Sequence, residues 1–513
     1  MTGNKNLMVN RKEMSTPVAI LSFQDNADIT GAKYIHAYLL AHGIASHLIL
    51  IPYFSSLAND AVVAFLLERH IRVVGLSIMT PESPRAFSCA SKIKAAMPDV
   101  LLVFGGIHAT VDAEDCLQYG DAIVRGEGEN SFLDIVERVA CGEDIAGAPG
   151  TCCNRNGQRV DSHPAPLIDD LDTLPFPRHL PSEMYVVHHG QVLPMDRLLF
   201  SKYARYGGRF LNITTTRGCP FACTYCCNSA YRKLYPRWDI RSRSVTNVIE
   251  ELVNEKLACP DLITVNIQDD CFLANSSEWL ADFADKYKTQ VGIPFILRTT
   301  PSHIRREVLV LLKQAGLVWI MLGLQSGSGR VNREVYRRPV TQSRFLETTR
   351  IIHEVGICAV YDVILDNPYE TELDILETLK TVLSIPRPFQ FQIFSLRFFK
   401  GTELQQRVVR DGINTTDPCV NYLAFAPTPL NRLIKMAAVY PPKVIRWLAL
   451  HRHRFICRVA IRIMAFVSDA VLTPFSYLRL THKAYGSRIT TTARLFGCLA
   501  KTFVQQRILA KHA

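Results

Sequence analysis

The most chemically loaded stretch of the chain reads Arg217-Gly218-Cys219-Pro220-Phe221-Ala222-Cys223-Thr224-Tyr225-Cys226-Cys227-Asn228. Cys219, Cys223 and Cys226 stand in a C-x3-C-x2-C spacing, short enough for one loop to aim three thiolates at one centre. Three thiolates can hold three irons of a [4Fe–4S] cube and leave the fourth iron open to a substrate or cofactor. A structural zinc site is normally closed by four ligands, and no second Cys/His pair at zinc-finger spacing accompanies this one. Cys227, the immediate neighbour of Cys226, is poorly placed to reach another corner. A small zinc knot, or cysteines that simply pack, is the competing reading. Glycines form a second constellation, in Gly75-Leu76-Ser77-Ile78-Met79 and in Gly105-Gly106. A missing Cβ lets a bulky ligand approach the backbone, although ordinary strand-to-helix turns use glycine too. Asp269 and Asp270 follow an apolar run and either orient a ligand or cap the next helix.

Such groups need strand ends to hold them. Val18–Ser22, His47–Ile51, Val73–Ile78 and Leu101–Phe104 are short apolar runs, separated by helical stretches at Gly31–His42, Ala61–Glu68 and Arg85–Met97, with Ser131–Ala140 beyond. This alternation predicts a parallel sheet covered on both faces, with ligands at the carboxyl ends of its strands. From 146 to 205 the prolines at 149, 164, 166, 175, 177 and 181 break the pattern, and a linker wrapped over the surface is expected. Alternation resumes with strands at Leu211–Thr215, Leu262–Gln268, Phe295–Arg298, Trp319–Gly323, Ala359–Leu365 and Gln390–Leu396. About six βα units make a partial or complete parallel barrel.

The cysteine motif resembles that of radical S-adenosylmethionine (SAM) enzymes, which place an aromatic residue before the last cysteine, here Tyr225. Gln268-Asp269-Asp270-Cys271-Phe272 is similar to the family's acidic segment after the second strand. Gly323-Leu324-Gln325-Ser326-Gly327-Ser328 resembles a later strand–loop, with Gln325 in place of the common glutamate. The resemblance implies a [4Fe–4S] cluster on Cys219, Cys223 and Cys226, with SAM held by Tyr225, Asp269, Gly323 and Gln325. It further implies reductive cleavage of SAM to a 5′-deoxyadenosyl radical, with a one-electron donor such as flavodoxin or ferredoxin.

The first 145 residues resemble the cobalamin-binding domains that precede many radical SAM domains. Ser77, Gly105 and Gly106 match positions that approach cobalamin. The D-x-H-x-x-G segment that supplies a histidine to cobalt is absent, and the corresponding stretch reads Asp25-Asn26-Ala27-Asp28-Ile29-Thr30-Gly31. The combined expectation is an α/β protein: a Rossmann-like cobalamin-binding domain (15–145), the linker (146–205), a partial (β/α)6 radical SAM barrel (206–412) and a basic helical tail (413–513). Methyl transfer to an unactivated carbon of a small molecule or lipid is the expected reaction. A non-methylating radical oxidoreductase or cyclase and a non-catalytic iron–sulfur sensor are the alternatives.

Composition agrees with a globular chain, neither disordered nor fibrous: 513 residues are 48% hydrophobic and 20% charged. The opening residues MTGNKNLMVNRKEM lack an apolar core, so no signal peptide and a cytoplasmic location are expected. Fifteen cysteines, an odd number, argue for thiols or metal ligands over a disulfide scaffold. Residues 430–513 hold 5 Lys and 10 Arg against the single acid Asp469, more than the whole net charge of +11. Lys443–Val467 reads as one amphipathic helix with Arg446, Arg454, Arg458 and Arg462 on one face and Ile445, Leu448, Phe455, Val459, Ile463 and Phe466 on another. A cap on the barrel, or peripheral contact with the inner face of a membrane, explains that pattern better than nucleic acid, since no nucleic-acid module is recognised.

Overall fold

A computed structural model describes residues 16–155, 158–414 and 423–486. The stretch read for a signal peptide and the end of the basic tail lie outside the described residues. The chain forms two compact units. The first gathers residues to Gly208 with Ala230–Arg237 and Phe399–Gly401, and the second takes the rest.

Nine strands build the sheet of the first unit: β1 (Val18–Ser22), β2 (Ser46–Leu50), β3 (Val73–Ser77), β4 (Leu101–Gly105), β5 (Ala122–Val124), β6 (Thr151–Arg155), β7 (Gln158–Asp161), β8 (Met184–His188) and β9 (Gln191–Pro194). Their order is β7-β6-β5-β4-β3-β1-β2-β8-β9. β1 and β2 are buried along their whole length, as strands covered on both faces must be. β1 pairs in parallel with both β2 and β3, so the strand order reverses there, the place where open α/β sheets bind ligands at the carboxyl ends of their strands.

The expected linker is instead part of this sheet. β6 and β7 form an antiparallel hairpin on one edge, and β8 joins β2 in parallel and carries β9 on the other. The prolines that broke the pattern fall between these strands, and Pro194 sits on the outermost one, where a missing N–H costs no ladder bond.

The second unit has six parallel strands in sequential order: β10 (Phe210–Ile213), β13 (Thr264–Ile267), β14 (Phe295–Thr299), β15 (Leu317–Gln325), β16 (Cys358–Leu365) and β17 (Gln390–Ser395). A short antiparallel pair, β11 (Thr216–Arg217) and β12 (Arg241–Ser242), follows the exit of β10. Alternation along the strands sends Leu211, Ile213, Val265, Ile267 and Leu297 to the helix-covered core. The opposite face is polar. Asn266 Nδ2 and Gln268 Nε2 donate to Asn212 Oδ1 at 2.7 and 2.9 Å, and Arg298 Nη1 donates to Gln268 Oε1 at 2.7 Å.

The C-terminal region caps this unit. On helix Thr473–Tyr485, Tyr477 stacks on Trp319 with ring centroids 5.8 Å apart, Ser476 Oγ accepts from Gln390 Nε2 at 3.1 Å, and the Tyr485 hydroxyl meets Thr264 Oγ1 at 2.8 Å. Thr264 and Gln390 begin β13 and β17, so the helix closes the amino-terminal end of the barrel. The single helix expected over Lys443–Val467 is broken into Pro442–Leu450 and Phe455–Val467. Its apolar positions divide accordingly: Ile445 and Leu448 are buried, whereas Phe455, Val459, Ile463 and Phe466 are exposed and Cys457 and Ile461 face the core. The break at 451–454 rotates the second segment, and no one-helix projection of the sequence can show that.

One buried ion pair braces the exit of β10. Arg243 and Glu251, with side chains 5% and 3% exposed, bond to each other, and Arg243 also donates to Thr214 O at 3.1 Å and to Asn247 Oδ1 at 2.6 Å. Glu251→Ala leaves a buried guanidinium unpaired and lowers stability by about 3–5 kcal/mol, measured by urea unfolding. A double variant, Arg243→Met with Glu251→Leu, recovers most of that loss.

Candidate cofactor sites of the two units

The cysteine loop leaves β11 through Gly218, whose φ of +97° suits glycine and whose Cβ would lie 2.3 Å from Asp239 O. From there the backbone turns tightly: Cys226 N donates to Cys223 O at 3.0 Å, and Ser229 N and Oγ donate to Cys226 O at 3.0 and 2.7 Å. Thr224 fastens the loop, its N donating to Tyr336 O at 3.1 Å, its Oγ1 to Val335 O at 2.6 Å, and its carbonyl accepting from Leu404 N at 2.9 Å.

Each thiol has its own surroundings. Burial pushes Cys219 up to about 12. Burial also raises Cys223, against the pull of the Arg338 guanidinium, and the Tyr225 hydroxyl bonds to the same sulfur. A hydrogen bond from Cys227 draws Cys226 down to about 7 and raises Cys227 itself. Asn228 Nδ2 approaches Cys226 Sγ at 3.7 Å while donating to Asp270 Oδ2 at 3.0 Å, and Trp238 Nε1 fixes Asn228 from its other end at 2.9 Å. Three thiols on one turn, two of them already supported by polar groups, fit a cluster held at three irons, because hydrogen bonds to sulfur are what tune such clusters.

Asp269 differs from the expectation of direct contact with SAM. It is 1% exposed, and Oδ1 accepts from Thr215 N at 2.7 Å and Thr216 N at 3.2 Å while Oδ2 takes the Thr215 hydroxyl. Both oxygens are spent on the chain. The residue is a strut between the exits of β13 and β10, and burial pushes it up to about 6 in spite of those donors. Tyr225 packs edge-on against Tyr336 with centroids 4.9 Å apart.

Gly323 and Gln325 lie at the end of β15, where a bulge shifts the register against β16 and places Gly323 opposite Asp362. Arg338 Nη2 donates to Gly323 O at 2.9 Å. Gln325 has φ +65°, a left-handed conformation that is strained outside glycine. The next residues are firmly held: Ser326 Oγ donates to Glu370 Oε1 at 2.8 Å, Gly327 N to Thr378 Oγ1 at 2.8 Å, and Ser328 Oγ to Asp374 Oδ1 at 2.6 Å. Against that saturation, Gln325 Oε1, Arg338 Nε and Asp362 Oδ1 are buried without a hydrogen-bond partner. An orphaned buried polar atom costs about 1–3 kcal/mol, so these three together point to a polar ligand at the end of β15 and β16. The amino-acid and ribose groups of SAM have the required donors and acceptors. Arg338 was not singled out in the sequence because no motif surrounds it; Asp362 lies inside the strand expected at Ala359–Leu365, where the alternation of Tyr361 inward to the core marks it as facing the other side.

In the first unit Ser77 and Gly105 are register partners on β3 and β4, so the expected cobalamin-facing residues are neighbours at two strand ends. A Cβ on Gly105 would meet nothing within 4 Å, whereas one on Gly106, at φ +89°, would lie 2.7 Å from Ile78 O. Gly105 thus leaves open space and Gly106 makes the turn that creates it, a fit for a large planar ligand. No histidine is free to reach such a ligand from the expected segments. Ala27, at the place of the missing histidine, is fully buried. His36 bonds to Ser46 Oγ and Ser182 O, both at 2.9 Å, and His108 to Thr80 Oγ1 at 3.2 Å and Asp115 Oδ2 at 3.3 Å. His108, Asp112 and Asp115 bring ligand atoms within 4.8 Å of one another, but Lys400 Nζ, 2.7 Å from Asp112, supplies the positive charge there.

Family models match both regions: the radical SAM superfamily over residues 213–382 and the B12 binding domain over 18–136. The chain therefore carries a B12-binding domain followed by a radical SAM domain, the domain pair of an enzyme. It is 26% identical over 412 residues to an uncharacterized methyltransferase of Pyrococcus horikoshii, covering 76% of this chain and 83% of that one. It is also 26% identical to the anaerobic magnesium-protoporphyrin IX monomethyl ester cyclase of Rubrivivax gelatinosus, over 68% of this chain and 60% of the cyclase. The fold is shared with the radical SAM methyltransferase TsrM of Kitasatospora setae, with a TM-score of 0.64 at 16% identity, covering 77% of this chain and 76% of that one.

Two outcomes test these sites. Replacing Cys219, Cys223 and Cys226 by Ala abolishes the iron–sulfur absorbance of anaerobically reconstituted protein, whereas Cys227→Ala retains it, with far-UV circular dichroism unchanged in both. Burial pushes Glu370 up from 4.5 to about 7. A carboxyl raised on folding stabilises the fold below its unfolded value and loses that contribution as pH rises through the folded one. Stability of the second unit accordingly falls between about pH 4 and 7, and Glu370→Gln flattens that slope in urea titrations at stepped pH.

Proposed function

We propose that the enzyme transfers a methyl group to an unactivated carbon of a small-molecule or lipid substrate, using cobalamin and SAM. When bound, the cluster and SAM supply a carbon radical able to remove a substrate hydrogen, and cobalamin supplies a methyl carrier. Cys219, Cys223 and Cys226 would hold three irons, leaving the fourth for the amino-acid end of SAM. Gln325, Arg338 and Asp362 would satisfy the polar groups of SAM with atoms that otherwise lack partners. Gly323, opposite Asp362, lets the Gln325 amide and the Arg338 guanidinium pack against the strand end where a Cβ would clash, and Tyr225 steadies Cys223 beside Arg338. Asp269 holds the loop entrance, and exclusion of water and oxygen falls to the surrounding barrel. In the other unit Ser77, Gly105 and Gly106 would face cobalamin. A flavodoxin- or ferredoxin-like protein would deliver the electron in a cytoplasmic setting, and the basic helical region would give peripheral contact with a membrane.

The observation that carries this reading is the pairing, in one chain, of a three-thiol loop beside orphaned polar groups with an open glycine cradle at the strand ends of a B12-binding domain. Methyltransferase relatives support it. The cyclase match keeps a non-methylating radical reaction as the second reading.

Anaerobic reconstitution with iron, sulfide and cobalamin, then SAM, reductant and a cell lipid extract, separates the two by mass spectrometry. Methyl transfer yields 5′-deoxyadenosine and S-adenosylhomocysteine together with a product heavier by one CH2. 5′-Deoxyadenosine with substrate turnover and no S-adenosylhomocysteine overturns methyl transfer in favour of the second reading. A separate spectroscopic outcome concerns cobalt: cob(II)alamin on this chain gives an electron paramagnetic resonance spectrum without splitting from a protein imidazole nitrogen.

A further inference from the structure

The C-terminal helices bury one face against the barrel and leave a second apolar face in water. The helical run from Phe455 to Tyr485 is continuous through a π turn at Ser468–Leu472, and its core side carries Cys457, Ile461, Ser468 and Leu480. On the outer side Ile456, Ile463, Phe466, Val471 and Phe475 are 74%, 60%, 74%, 57% and 68% exposed, and Trp447 on the preceding helix is 53% exposed. Ile456 to Phe475 marks a stripe roughly 28 Å long at 1.5 Å per residue. A soluble surface helix hides its apolar residues and shows its polar ones, whereas this run is apolar on both sides.

The exposed side is also cationic. Arg446, Arg454, Arg458 and Arg462 are exposed and have no carboxylate partner among the described residues. The one acid of this region, Asp469, is paired with Lys435 at 2.8 Å, and Arg452 is taken by Glu372. Apolar side chains interleaved with unpaired arginines match a bilayer interface, where the aliphatic groups enter the acyl boundary and guanidinium groups reach lipid phosphates. A phosphate-tracking nucleic-acid surface has no use for so many exposed aliphatic and aromatic residues. Among the described residues no helix is long and apolar enough to cross a membrane.

We propose that the face carrying Trp447, Ile456, Ile463, Phe466, Val471 and Phe475, flanked by Arg454, Arg458 and Arg462, docks the enzyme on the surface of an anionic lipid bilayer. The proposal gives the peripheral contact named above a surface and a lipid chemistry, and stands whether or not the reaction is methyl transfer. The helices lie along the interface and do not insert across it.

Flotation of the full-length, cluster-loaded protein tests this with vesicles of phosphatidylcholine and, separately, phosphatidylcholine with phosphatidylglycerol at about one-third of the lipid. The protein floats with the anionic vesicles, and its tryptophan emission shifts to the blue and is quenched by brominated acyl chains. Trp447→Phe removes the shift and quenching. Arg454→Gln with Arg458→Gln and Arg462→Gln lowers partitioning by about 100-fold. Ile456→Ser with Ile463→Ser, Val471→Ser and Phe475→Ser also releases the protein. Cluster absorbance and circular dichroism are unchanged in all variants, since these side chains are exposed. Three results overturn the proposal: no flotation with anionic vesicles, flotation that the four serines leave intact, or a dimer in sedimentation velocity that the four serines convert to monomer. The 5′-deoxyadenosine assay, run without vesicles, reports on the radical chemistry independently of each.

Discussion

A carboxylate buried at the exit of β13 governs the second unit. Asp269 spends both oxygens on Thr215 and Thr216, so the end of β10 is tied to the end of its neighbour where the cysteine loop departs. A loop of thiols needs such anchorage, because three sulfurs must converge without a regular element to hold them. Arg243 supports the same corner from behind through Thr214 O, its charge neutralised by Glu251. Gly218 then lets the backbone pass Asp239 at a distance that any side chain would forbid. The anchorage is polar and buried, which makes it directional as well as costly to disturb.

The end of β15 and β16 follows the opposite principle. Its loop is saturated by Thr378, Glu370 and Asp374, and the same neighbourhood leaves Gln325, Arg338 and Asp362 with unused buried atoms. Rigid walls with unsatisfied groups between them are the form a preorganised polar ligand site takes. The replacement of a glutamate by Gln325 is then less severe than it looks along the chain, since Asp362 stands opposite Gly323 and retains a carboxylate at this edge. Arg338 serves two ends of the site at once, contacting Cys223 and Gly323 O.

The first unit achieves its opening by omission. Gly105 leaves space at the end of β4 and Gly106 makes the turn beyond it, while Ala27 fills the position of the absent histidine. His36 and His108 are both fully engaged by the fold, and burial lowers both, which keeps them neutral and structural. The residues that would face cobalamin here include no histidine from the usual motif.

The signals legible along the chain were local or repetitive. The C-x3-C-x2-C loop, the six strand-like runs of the barrel and the apolar strands from Val18 to Phe104 were legible because spacing and burial on both faces leave a pattern in one dimension. Strands β6 to β9, two at each side of the sheet, were not, because short hairpins among prolines look like loops until a neighbouring strand accepts their hydrogen bonds. Asp269 was visible as an acid after a strand, but whether it touches ligand or backbone depended on Thr215 lying at the exit of the adjacent strand. Arg338 had no local signal, and Asp362 was legible only as one face of a strand, since its place opposite Gly323 comes from a cross-strand register. The described residues of the tail, 423–486, are mostly helical as expected, and only the break at 451–454 decided which apolar residues face the core and which face outward. Periodicity fixes an element's character; its orientation is set by what packs against it, and that is a property of the whole chain.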